Sequence, residues 1–88
     1  MEVQAILVGA LEIVRRVYMG LKSGSDEWYE AKEHAERIMR KKAEARSSSE
    51  REKWADRGRD LADRLREEYG YGDEGVRWII NEYGLDRD

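Results

Sequence analysis

The sequence predicts an all-α fold, a compact, mostly antiparallel four-helix protein with three helices of about 20 residues and a shorter fourth. Three observations carry this expectation. Apolar residues recur at helical spacing through four stretches, and none of the four shows the strict alternation of a strand. Every break between stretches holds residues that stop one helix and start another: Ser23-Gly24-Ser25-Asp26, Ser47-Ser48-Ser49-Glu50 and Gly70-Tyr71-Gly72-Asp73. The length, 88 residues, is that of one domain. The boundaries fall at about 2–22, 26–46, 49–69 and 74–83 within a single domain of 1–88.

The first predicted helix places Val3, Leu7, Ala10, Val14, Val17 and Leu21 at alternating spacings of four and three, a heptad seam. Ile6, Leu11, Ile13 and Tyr18 widen it to an arc of roughly 160°. Met1, Ala5, Val8 and Met19 form a second, smaller apolar stripe among Gln4, Glu12 and Arg15. Gly24 can close this helix in the left-handed conformation, and the short turn predicts an antiparallel neighbour.

Ser25 is the expected N-cap of the second helix, with Asp26 and Glu27 at the positive end of its dipole. Trp28, Ala31, Ala35 and Ile38, with Met39 and Ala43 alongside, form its core face. Ser47 with Glu50, or Ser49 with Glu52, fits a capping box opening the third helix. Its narrow core face is Trp54, Gly58, Leu61, Leu65 and Tyr69, edged by Ala55 and Ala62. Gly70 ends that helix and Asp73 caps the fourth, whose inward stripe is Val76, Ile79, Ile80 and Tyr83. Gly84 stops it, and Leu85 stands where a residue after a glycine C-cap packs back.

Composition excludes several function classes. Cysteine is absent, so disulfides, thiolate metal sites and a cysteine nucleophile are excluded. The most apolar stretch, Val3 to Val14, is too short to span a bilayer and lacks a basic leader, so no membrane contact and soluble cytoplasmic expression are expected. The net charge is −3, but it is unevenly spread. Nine Lys or Arg against four acids give +5 over residues 37–59, and nine acids against four Arg give −5 over residues 60–88. The cluster Arg37, Arg40, Lys41, Lys42, Arg46 and Arg51 raises the question of nucleic acid. The acidic whole and the lack of a reader helix argue against it, and cations near a helix C-terminus complement the dipole.

No residue pattern points to catalysis. His34 is the single histidine. Glu30 lies one turn before it, but a metal site needs three or four ligands, and His34 stands about 100° from the centre of its helix's apolar face. The serines sit in caps and turns with no base placed to reach them. No glycine-rich loop follows a strand. The chain is expected not to be an enzyme, with no cofactor and no metal.

Trp78 is the residue least explained by a single core face. It points roughly 160° away from the centre of the Val76, Ile79, Ile80 and Tyr83 stripe. Either helix four lies between two neighbours, or Trp78 belongs to a protein interface, one candidate partner being the Val8 and Met19 stripe of another copy.

Absent proline and cysteine, helices of similar length, a cap at each start, glycine at most stops and charged outer faces together resemble a computationally designed helical bundle. The resemblance implies a monomeric scaffold whose function is to fold, requiring no partner. Gly9, Gly20 and Gly58, expected inside helices, depart from an idealised design. They suit a backbone assembled from natural helix-turn-helix pieces, with Gly58 admitting a close neighbour. The alternative is a small module presenting an exposed helical face to a protein partner. A scaffold should leave no large apolar patch, whereas a binder should present one.

Overall fold

Capping chemistry places the helices. In the computed structural model, which describes residues 20–87, Ser25 accepts the Trp28 N–H and opens α1 (Asp26–Glu44). Ser47 accepts the Glu50 N–H and opens α2 (Ser48–Tyr69), and Asp73 accepts the Val76 N–H and opens α3 (Glu74–Tyr83). No strand occurs among the described residues. Ser47 is the capping serine, and Glu50 reaches back to the Arg46 N–H at 3.3 Å, one residue earlier than a standard capping box.

Residues 2–19 of the first predicted helix lie outside the described residues, as do Gly9, Val8 and Met19. Its expected end at residue 22 is corrected. Gly20 has φ +71°, and Gly20, Leu21 and Lys22 belong to no helix. Gly24 has φ +88°, but it closes no helix. It stands third in a turn whose Ser25 N–H donates to the Lys22 carbonyl at 3.0 Å, where a type II turn needs a positive φ. α1 also ends two residues before the expected position 46. Ala45 is already extended, with ψ 133°, to lead into the extended cap Ser47.

The three helices pack pairwise, and α1 and α2 run antiparallel. Ala43 shares a hollow with Arg51, Ile38 reaches Gly58, and His34 lies beside Leu61 and Arg64. Partner numbers therefore rise along one helix as they fall along the other. The core holds Trp28, Ala31, Ala35 and Ile38 of α1, Leu61, Ala62, Leu65 and Tyr69 of α2, and Val76, Ile79 and Ile80 of α3. Leu21 and Leu85 join it from outside the helices. Ile38, Val76, Ile79 and Leu85 are fully buried, each contributing about 1.5–3 kcal/mol. One core expectation is corrected: Ala43 is exposed, and Lys42 is buried in its stead. The Lys42 Nζ donates to the Arg87 carbonyl at 2.8 Å.

That bond belongs to a strap. Left-handed Gly84 ends α3, the Leu85 N–H donates to the Ile80 carbonyl at 3.0 Å, and Arg66 of α2 pairs with Asp86. The Leu85 backbone thereby lies over Gly58. A Cβ there would stand 3.1 Å from the Leu85 oxygen and 3.6 Å from the Ile38 Cγ2.

A second link ties residue 21 to the start of α3. The Leu21 N–H donates to Asp73 Oδ2 at 3.0 Å while Asp73 Oδ1 accepts the Val76 N–H at 3.0 Å. One carboxylate thus caps α3 and clasps the chain entering α1. The approach is so close that a Cβ on Gly75 would collide with the Leu21 carbonyl oxygen.

Urea denaturation of point variants tests these links. Gly75→Ala should cost about 3 kcal/mol, since backbone must move. Gly58→Ala should cost about 1 kcal/mol net, overpacking outweighing the gain in helix propensity. Gly72→Ala, with nothing within 4 Å, should be neutral. Asp73→Ala should lose about 2 kcal/mol from cap and clasp together, and Asp73→Ser, which keeps a single acceptor, should recover about half.

Candidate functional site

Trp78 follows Val76 by two residues on a ten-residue helix whose other face is already committed to Ile79 and Ile80, so its side chain projects outward. It is 44 % exposed. Its ring stands 5.4 Å from that of Trp28, tilted by 43°, and meets Tyr83 edge-on at 6.3 Å. Trp28 itself is buried, with Tyr29 edge-on to it at 5.0 Å. Tyr29 is 52 % exposed. Four aromatic rings thus form one chain of ring contacts across α1 and α3, with Tyr29 and Trp78 exposed on either side of the buried Trp28.

A groove of about 750 Å³ opens beside the two indoles. Gly20, Leu21, Lys22 and Ser23 form one side, and the start of α3, from Gly72 to Gly75, the other. The Asp73 clasp sets the distance between these sides. Two further contacts fix the aromatic wall. The Lys32 Nζ lies 5.2 Å from the Trp28 ring centre, and the Tyr83 hydroxyl donates to Glu36 Oε1 at 2.9 Å. Burial, that hydrogen bond and the nearby Glu36 and Glu82 charges push the Tyr83 hydroxyl up to about 12, so it holds its proton as a donor.

Of the residues the sequence singles out, Trp78 lies at this groove, while Val8 and Met19 lie outside the described residues. Asp73 and Gly75 carry more than the sequence suggests. Asp73 reads as a cap alone, and Gly75 gives no local signal because its requirement comes from a segment more than fifty positions away. Tyr29 sits next to a core tryptophan, off the apolar stripe, and only Trp28's edge position brings it into the surface.

The other candidates are not brought together. No group of three His, Cys, Asp or Glu gathers to hold a metal among the described residues, and no helix there is long and apolar enough to cross a membrane. In the basic cluster Lys42 is withdrawn into the fold by Arg87, while Arg37, Arg40, Lys41, Arg46 and Arg51 are exposed. His34 is a surface residue, as its helical angle implies, yet it stands in a hollow with Arg57, Asp60, Leu61 and Arg64. Partial withdrawal from water lowers its pKa first, then the charges of Arg64 and Arg37, against an opposing Glu30.

The imidazole should therefore titrate below 6.5 by NMR, and Arg64→Gln should move its midpoint upward. Because the folded state disfavours the charged ring, His34 should weaken stability as pH falls through 6.5 toward the folded midpoint, with no such loss above 6.5. No protein-family model, curated protein or solved structure matches the chain.

Proposed function

We propose that the chain is a small, non-catalytic helical module that binds a protein partner through the Trp28–Trp78 groove. The observation that carries this is the exposure of Trp78 in ring contact with the core residue Trp28. An indole left 44 % exposed beside a groove of about 750 Å³ is poorly placed to serve the core and well placed to anchor a partner. A partner helix or extended segment with one apolar side chain directed between Gly75 and the indoles fits this shape.

The second reading is the scaffold implied by the designed-bundle resemblance. What favours it is the local consistency of the chain: all three described helices carry the N-cap their sequence supplies. The two readings part over the aromatic surface, which a chain selected only to fold has no reason to expose.

A peptide display library selected against the immobilised full chain separates them. The module reading expects enrichment of peptides bearing an apolar anchor, with binding weakened at least about tenfold by Trp78→Ala, a loss of about 1.4 kcal/mol. That variant should keep the helical circular dichroism of the parent. No enrichment, or peptides indifferent to Trp78, would favour the scaffold.

A further inference from the structure

A second concavity lies between α1 and α2 and shares no lining residue with the Trp28–Trp78 groove. It is a hollow of about 280 Å³ lined by His34 of α1 and by Arg57, Asp60, Leu61 and Arg64 of α2. Leu61 is buried and gives the hollow an apolar member, while the four polar residues are exposed. Positions 57, 60, 61 and 64 share one face of a helix, and the antiparallel pairing brings His34 to that face.

Neighbouring arginines of α2 differ in their company. Arg59 is paired with Asp56, and Arg66 with Asp63 and Asp86. Arg57 and Arg64 make no hydrogen bond or ion pair among the described residues, although Asp60 stands three and four positions from them. The Arg57 Cζ lies 4.4 Å from the Trp54 ring centre, a cation–π contact that uses none of its N–H donors. Two guanidinium groups thus border one hollow with their donors unspent.

The field there is positive. Arg37, Arg57 and Arg64 oppose Glu30 and Asp60, leaving +1 around a neutral imidazole and +2 once it is protonated. His34 registers this field: partial burial first, then Arg64 and Arg37, hold its pKa below 6.5 against Glu30. An anion seated in the hollow reverses that repulsion, because an opposite charge favours the imidazolium. Anion binding and protonation of His34 are therefore linked, each strengthening the other.

Asp60 selects among anions. Its carboxylate repels an oxyanion that carries no proton, such as sulfate, and accepts a hydrogen bond from one that does. Monohydrogen phosphate keeps one hydroxyl at neutral pH and offers three further oxygens to charged donors. We propose that the hollow between α1 and α2 is a site for inorganic phosphate, held by Arg57 and Arg64, with His34 as a further donor and Asp60 accepting the phosphate hydroxyl.

The test is NMR of the full chain, following the His34 ring and the Arg57 and Arg64 side-chain N–H resonances in phosphate, sulfate and chloride at equal ionic strength. Chloride measures simple screening, which also raises the His34 midpoint. Phosphate should give saturable shifts at all three residues and a His34 midpoint above the chloride value. It should bind about fivefold more tightly than sulfate at neutral pH. Shifts no larger than those in chloride, or shifts that never saturate, would overturn the proposal. Arg64→Gln should raise the anion-free midpoint yet weaken phosphate about fivefold, and an unchanged affinity counts against the site. Asp60→Asn should tighten sulfate about threefold and erase the preference for phosphate. Equal binding of the two anions by the parent chain would overturn the phosphate assignment. Both substitutions fall on exposed residues and should leave the helical circular dichroism unchanged.

Discussion

The Asp73 carboxylate is the constraint on which the rest of the arrangement depends. Its two oxygens serve two chain segments 52 positions apart, capping α3 through Val76 and holding the Leu21 N–H. Without the first bond α3 begins unsatisfied, and without the second Leu21 has no fixed place in the core. The missing side chain of Gly75 is the steric counterpart of that electrostatic link, since the Leu21 carbonyl occupies the space a Cβ would need. The groove exists because the link sets the two sides at this separation. Trp28 is then carried in by the turn after Leu21, and Trp78 by the helix after Asp73.

The strap after α3 does for the other end of the body what the clasp does near residue 21. Leu85 fills the core over Gly58, and polar groups from both long helices hold the two residues after it, Lys42 through the Arg87 carbonyl and Arg66 through the Asp86 carboxylate. A buried lysine is tolerable here because its ammonium has an oxygen to donate to. No buried side-chain polar atom among the described residues lacks a partner. Both ends of the body are thus closed by short non-helical segments anchored on side chains, and the helices between them need little irregularity.

Local chemistry was legible in the sequence, and distant chemistry was not. As caps, Ser25, Asp73, Gly70 and Gly84 each act within four residues of themselves, so the starts and stops of the three described helices could be placed within a residue or two. The core faces followed from angle alone, from Trp28 to Ile38 and from Gly58 to Tyr69. The failures share one cause. Gly20 appears mid-seam because Leu21 continues the heptad, but Leu21 keeps its apolar role after leaving the helix. Lys42 and Ala43 exchange expected places because a carbonyl from residue 87 makes a lysine the better tenant. Gly75 is invisible to any local rule. At the site, the angle of Trp78 announced an exposed ring, but its company of Trp28, Tyr29 and Tyr83 required knowing how α1 meets α3.

The fixed geometry of the two indoles has an optical consequence. Rings 5.4 Å apart and tilted by 43° are close enough for the transition dipoles of Trp28 and Trp78 to interact. Trp54 belongs to a different environment, its ring under the Arg57 guanidinium at 4.4 Å. The protein therefore carries a built-in pair of chromophores at its groove, one on α1 and one on α3. Anything that wedges between those rings, or drives them together, changes a signal that needs no added label.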